Sequence, residues 1–89
     1  MLATFTVAEA GTYTFEWSVT WGGTGNVGGY VDFQANGGTF TAGNTVFTAP
    51  GTSTVTVTTA MAAGDVANFW ATSGYGTRPA TGAWTVTKT

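Results

Sequence analysis

Tyr13, Phe15, Trp17, Val19 and Trp21 are large and apolar at every second position, and Thr14, Glu16, Ser18 and Thr20 separate them. Period-two alternation is the geometry of a β-strand, whose side chains point by turns to opposite faces. A helix would scatter the same rings around its circumference. The segment therefore reads as a strand of an antiparallel sheet, apolar on a buried face and hydroxyl-bearing on the other.

The same period recurs along the chain. Ala3, Phe5 and Val7 alternate with Thr4 and Thr6, and Val31, Phe33 and Ala35 alternate with Asp32 and Gln34. Asn36-Gly37 is the pair that best tolerates the positive φ values of a type I′ turn. Short segments at Thr39–Thr41 and Thr45–Thr48 follow, then a turn at Pro50-Gly51 and a strand from Ser53 to Thr59. Asp65 to Ala71 reads as a strand, Asp65 either capping the turn before it or starting the strand, and Gly82 to Lys88 as the last strand. Trp17, Phe15 and Trp84 are expected in the core. Ala60–Gly64 tolerates helix but is too short to stand alone. The expectation is one domain over residues 1–89: an all-β, small antiparallel sandwich of seven to eight short strands.

Size and charge constrain what such a domain does. A folded monomer of 9.1 kDa exposes roughly 4,900 Å² and buries about 60% of its unfolded surface, a marginal core. Cysteine and histidine are absent, which removes disulfides and most metal sites as reinforcement. Glu9, Glu16, Asp32, Asp65, Arg78 and Lys88 are the only charged residues, 7% of the chain against a usual ~25%. A soluble monomer intersperses more charge than this. Disorder does not explain the composition, because disordered chains are poor in aromatics and this one has four Trp, six Phe and three Tyr. Association with other protein is the compensation left.

The chemistry-bearing motifs are sparse. Gly23-Thr24-Gly25-Asn26-Val27-Gly28 matches G-x-G-x-x-G, but dinucleotide binding needs a following helix, and a strand follows here. Gly22–Gly29 is expected to be a flexible loop. The four carboxylates lie far apart in sequence with no histidine or cysteine to work with, so no catalytic residue, cofactor or metal is expected and the chain reads as no enzyme. A net charge of −2 without a basic run points away from nucleic acid. No apolar stretch reaches the length of a membrane span, and the start of the chain lacks the pattern of a signal peptide.

The candidate contact residues lie in the last third. Val66 and Trp70 share one face of their strand, and Ala67, Phe69 and Ala71 line the other. A strand apolar on both faces is either fully covered or at a subunit contact. Phe69 and Trp70 are therefore expected at an interface. Tyr75 and Arg78, in the glycine-flanked loop Ser73–Pro79, are the expected recognition residues.

Ala10-Gly11-Thr12-Tyr13-Thr14-Phe15, Ala35-Asn36-Gly37-Gly38, Ala63-Gly64-Asp65-Val66 and Gly82-Ala83-Trp84-Thr85-Val86 occur in an order that resembles the jelly-roll family of the C1q and tumour-necrosis-factor type. The resemblance implies a jelly-roll-like fold and a homotrimer around an aromatic-lined axis. Similar compact domains occur as bacteriophage capsid decoration (cement) proteins and at tail-fibre tips. The chain, starting at Met1 with no linker, looks more like the former. It is expected on the capsid surface of a virion, bound to the major capsid protein and stabilising the capsid. The alternative is a tail-fibre tip or a carbohydrate- or receptor-binding module, with Tyr75, Tyr30 and an exposed Trp facing a glycan.

Overall fold

The computed structural model describes residues 2–76 and 79–89, with only the backbone at position 2. All the regular structure among these residues is strand: β1 (Leu2–Thr6), β2 (Gly11–Ala35), β3 (Thr41–Ala42), β4 (Val46–Met61), β5 (Val66–Ser73) and β6 (Ala80–Lys88). Every pairing is antiparallel. The all-β antiparallel fold read from the alternation is thus present.

The strands are fewer and longer than the alternation suggests, because two turn-like segments stay in the ladder. Gly22–Gly29 belongs to β2 and is no free loop. Pro50-Gly51 likewise lies within β4, which joins the segments expected at Thr45–Thr48 and Ser53–Thr59. β2 and β4 pair along their length with register shifts between Trp21 and Gly25 and between Asn26 and Gly29. Such irregularities bend a strand without ending its pairing. Gly23, Gly25 and Gly28 sit at φ of 80°, 99° and 52°, a region open to glycine at little steric cost.

The bend turns β2 back over itself. Phe15 and Phe33, both in β2, would be about 60 Å apart in a straight strand at ~3.3 Å per residue. Their ring centroids are 5.1 Å apart. The first half of β2 lies between β4 and β6, and the second half pairs with β5, which in turn pairs with β1. The core fills the space between these halves: Tyr13, Phe15, Trp17, Val19 and Trp21 from one, Val27, Val31, Phe33, Ala67 and Phe69 from the other. Each apolar residue of the opening alternation is buried, as its period demands.

Local chemistry secures the ends. Asn36 and Gly37 have φ of 50° and 70°, and the Gly38 N–H donates to Ala35 C=O, closing the turn expected there. The Ala62 N–H donates to an Asp65 carboxylate oxygen at 2.8 Å, so Asp65 caps its turn. Ser53, the one buried polar residue among those described, bridges both halves. It accepts from the Val31 N–H at 3.1 Å and donates to Asn44 C=O.

Candidate functional site

The domain presents three kinds of surface, set by which residues alternate outward. Over the β6–β2–β4 half the outward row is hydroxylic. Thr87, Thr14 and Thr58 share one rung, and Thr81, Thr20 and Thr52 another. The hydroxyls of Thr14 and Thr58 and of Thr20 and Thr52 pair at 3.0 Å. Glu16 is the only charge in this array, so threonine supplies polarity as well as strand propensity.

On the β5 half the outward row is mixed. Tyr30, Asp32 and Gln34 stand opposite Thr72, Trp70 and Asn68. Trp70 is half-buried, and the exposed Phe40 packs edge-on against it at 5.1 Å between centroids. Asp32 accepts no hydrogen bond among the described residues. Burial beside this row raises its carboxyl above the ordinary range. The side-chain carbonyl oxygen of Asn68 accepts from the Thr4 hydroxyl at 3.1 Å.

The third surface is the open side between the halves, where β6 and β1 are both edge strands. Trp84, on β6, faces inward and touches Phe5 and Phe69 at 5.7 and 5.8 Å between centroids. It nevertheless stays 43% exposed, because among the described residues no strand lies beyond β6 to cover it. The core position expected for Trp84 is therefore a core rim. Edge position is a property of topology, which the alternation of β6 does not carry.

The expected contact residues separate. Phe69 is 0% exposed, and its ring meets Phe15, Trp17, Phe33 and Trp84. It is a core residue and offers nothing to a partner of the folded chain, because its strand buries one face and half-exposes the other. Trp70 lies on that outer face, as an interface residue requires. Tyr75 is 60% exposed, with its ring at the backbone of Gly28. Arg78 lies outside the described residues. Phe40 and Phe47, exposed by 52% and 74%, were not singled out by the sequence reading. Both lie in segments too short for alternation to show which way they point.

The described carboxylates do not gather. No group of three or more His, Cys, Asp or Glu side chains forms a metal-sized cluster among the described residues. Lys88 and Glu9 pair at 3.3 Å on the surface, a contact worth about 0–1 kcal/mol.

Asp65 has the opposite electrostatic character to Asp32. The Ala62 N–H, then the Asn36 side chain, hold its carboxyl below the ordinary range. A lowered folded-state pKa means stability contributed above the unfolded value and lost as pH falls through the folded one. Asp65→Ala should therefore lower the melting temperature at pH 7, and the gap to the parent should narrow in a pH series from 5 to 2. A gap constant across that series would show that the charge of Asp65 contributes nothing.

Comparison with protein-family models, with curated proteins and with solved structures gives no match, so the function has to be argued from the surfaces themselves.

Proposed function

We propose that the chain is a structural protein of a bacteriophage particle, a capsid decoration protein that docks on neighbouring protein subunits and catalyses no reaction. The observation that carries this reading is the surface. The chain exposes 4705 Å², about 800 Å² for each charged residue, and a free-standing domain intersperses far more charge than that. Phe40, Phe47, Tyr75 and Trp84 are exposed on that surface. Depletion of charge together with aromatic enrichment is the composition of the centre of a protein–protein interface. Threefold association is what the jelly-roll resemblance adds.

A second reading is favoured by one place only. Trp70, Phe40 and Asp32, which has no hydrogen-bond partner among the described residues, put aromatic faces beside an acceptor, which suits the apolar face and hydroxyls of a sugar. That reading makes the domain a carbohydrate- or receptor-binding module of a tail-fibre tip.

Gene neighbourhood and binding together test the choice. The decoration reading expects the encoding gene beside capsid genes, and a glycan array that stays silent. A gene beside tail-fibre genes, with array binding lost in Trp70→Ala, transfers the function to the second reading. A gene among metabolic operons overturns both.

A further inference from the structure

We infer that β6 is an association edge, and that its occupant is β6 of a second copy of this chain, paired antiparallel about a twofold axis through Trp84. The hydrogen-bond parity of the ladder comes first. The Thr89 N–H donates to Thr12 C=O at 2.8 Å, and the Gly22 N–H donates to Pro79 C=O at 2.7 Å. In an antiparallel ladder, bonded pairs alternate with unbonded ones. The odd-numbered residues of β6 thus face β2 with their backbone groups. Those of Ala80, Gly82, Trp84, Val86 and Lys88 face outward, and among the described residues β6 pairs with no strand but β2.

Unpaired edges invite another strand, and proteins blunt them by shortening, capping, charging or kinking. The other edges of this fold are short or covered in part. β1 has five residues. On β4 the Asn44 side chain caps the outer edge at two positions, its amide donating to Thr52 C=O at 3.1 Å and its carbonyl oxygen accepting from the Thr54 N–H at 2.8 Å, which leaves the shorter stretch Thr56–Ala60 facing outward. β6 has nine residues, pairs with β2 without a register shift, and carries no charge before Lys88 at its end. It also leaves Trp84 partly uncovered where the next strand of the sheet would lie.

β6 is complementary to itself. Outward-facing even residues bond only to even residues of an antiparallel copy, so the twofold axis passes through a residue and not between two. Full overlap of Ala80–Lys88 selects Trp84. Trp84 then meets Trp84 of the second copy, and Gly82 meets Val86, so the aromatic row continues across the junction. On the other face Ala83 meets Thr85, and Thr81 meets Thr87, so small and hydroxylic side chains stay together. Lys88 faces Ala80, and no like charges oppose each other.

The inference is independent of the threefold association proposed above, and one substitution separates them. Gly82→Pro removes an outward N–H, breaks no bond to β2 and deletes no side chain. Light scattering on the eluting peak should show that this variant halves the particle mass while the circular dichroism is unchanged. Two chains of 9.1 kDa become one if β6 alone associates, and six become three if the trimer also forms. A trimer or monomer whose mass is the same in parent and variant overturns the β6 pairing, and a trimer so found leaves the decoration reading standing. Because the parent contains no cysteine, a mixture of Ala83→Cys and Thr85→Cys chains gives a second readout that does not depend on proline. These positions form an unbonded cross-strand pair at disulfide distance. Rapid mixed disulfide formation, faster than in either variant alone, is expected. Equal rates in all three samples overturn the register.

Discussion

Phe69→Ala should destabilise the chain more than Trp70→Ala, Ser53→Ala or Asp65→Ala, by about 3–5 kcal/mol. The ring is fully buried where both halves of the folded-over sheet converge, with four other rings at centroid distances of 5.3 to 6.1 Å. Removing it deletes apolar burial and leaves a cavity among aromatics that cannot collapse together, a loss of about 3–5 kcal/mol. A domain of this length has roughly 0.05–0.15 kcal/mol per residue in total, or about 4–13 kcal/mol. The deletion therefore removes a large share of the margin. Urea denaturation should show the midpoint falling steeply, with Trp70→Ala, on the outer face of the same strand, losing much less. Equal losses at positions 69 and 70 would mean that β5 is buried alike on both faces, against the burial described above. The pairing with Trp70 makes the experiment a test of which face is core.

Ser53→Ala should cost more than any other removal of a single hydroxyl in this chain. Most of the hydroxyls that face solvent find water when their partners are lost. Ser53 is 0% exposed and serves a donor and an acceptor at once, the Val31 N–H and Asn44 C=O. Alanine fills nearly the same volume but leaves both groups unsatisfied, and each orphaned buried group costs about 1–3 kcal/mol. The local effect should be visible too. The Val31 amide exchanges faster with solvent in hydrogen-exchange measurements, and the Asn44 side chain loses its hold on the β4 edge. Thr20→Ala, which breaks the exposed Thr20–Thr52 pair, should stay within about 0.5 kcal/mol of the parent. A Ser53→Ala protein as stable as Thr20→Ala would show that water replaces the hydroxyl.

The two substitutions mark where sequence reading succeeds and where it stops. Phe69 was visible as an apolar residue on a strand, yet that strand, with Val66 and Trp70 on one face and Ala67, Phe69 and Ala71 on the other, looked apolar on both. Alternation says that two faces differ. It does not say which one meets the core when both carry rings. Ser53 shares the parity of Val55 and Val57 and so falls on their face, but nothing in the sequence says which groups its hydroxyl meets there. Its role depends on Val31 and Asn44, which come near it only after the chain has bent. The expected interface pair was split for the same reason: Trp70 is on the surface and Phe69 inside. Trp84 moved the other way, from expected core to exposed rim, because nothing in its own strand records that β6 has a neighbour on one side only.

By itself the sequence determined the antiparallel all-β class, the buried row Tyr13–Trp21, the type I′ turn at Asn36-Gly37, the turn ending at Asp65 and the scarcity of charge. All of these are local: they follow from side-chain period, from φ preferences or from counting residues. Only the tertiary structure decided that Gly22–Gly29 is a bend in a continuous strand, that β2 lies at the centre of both halves, and that β6 is an uncapped edge with a half-covered tryptophan. These depend on contacts between residues distant in the chain, and the same glycines serve a loop or a bulge until the partner strand is in place.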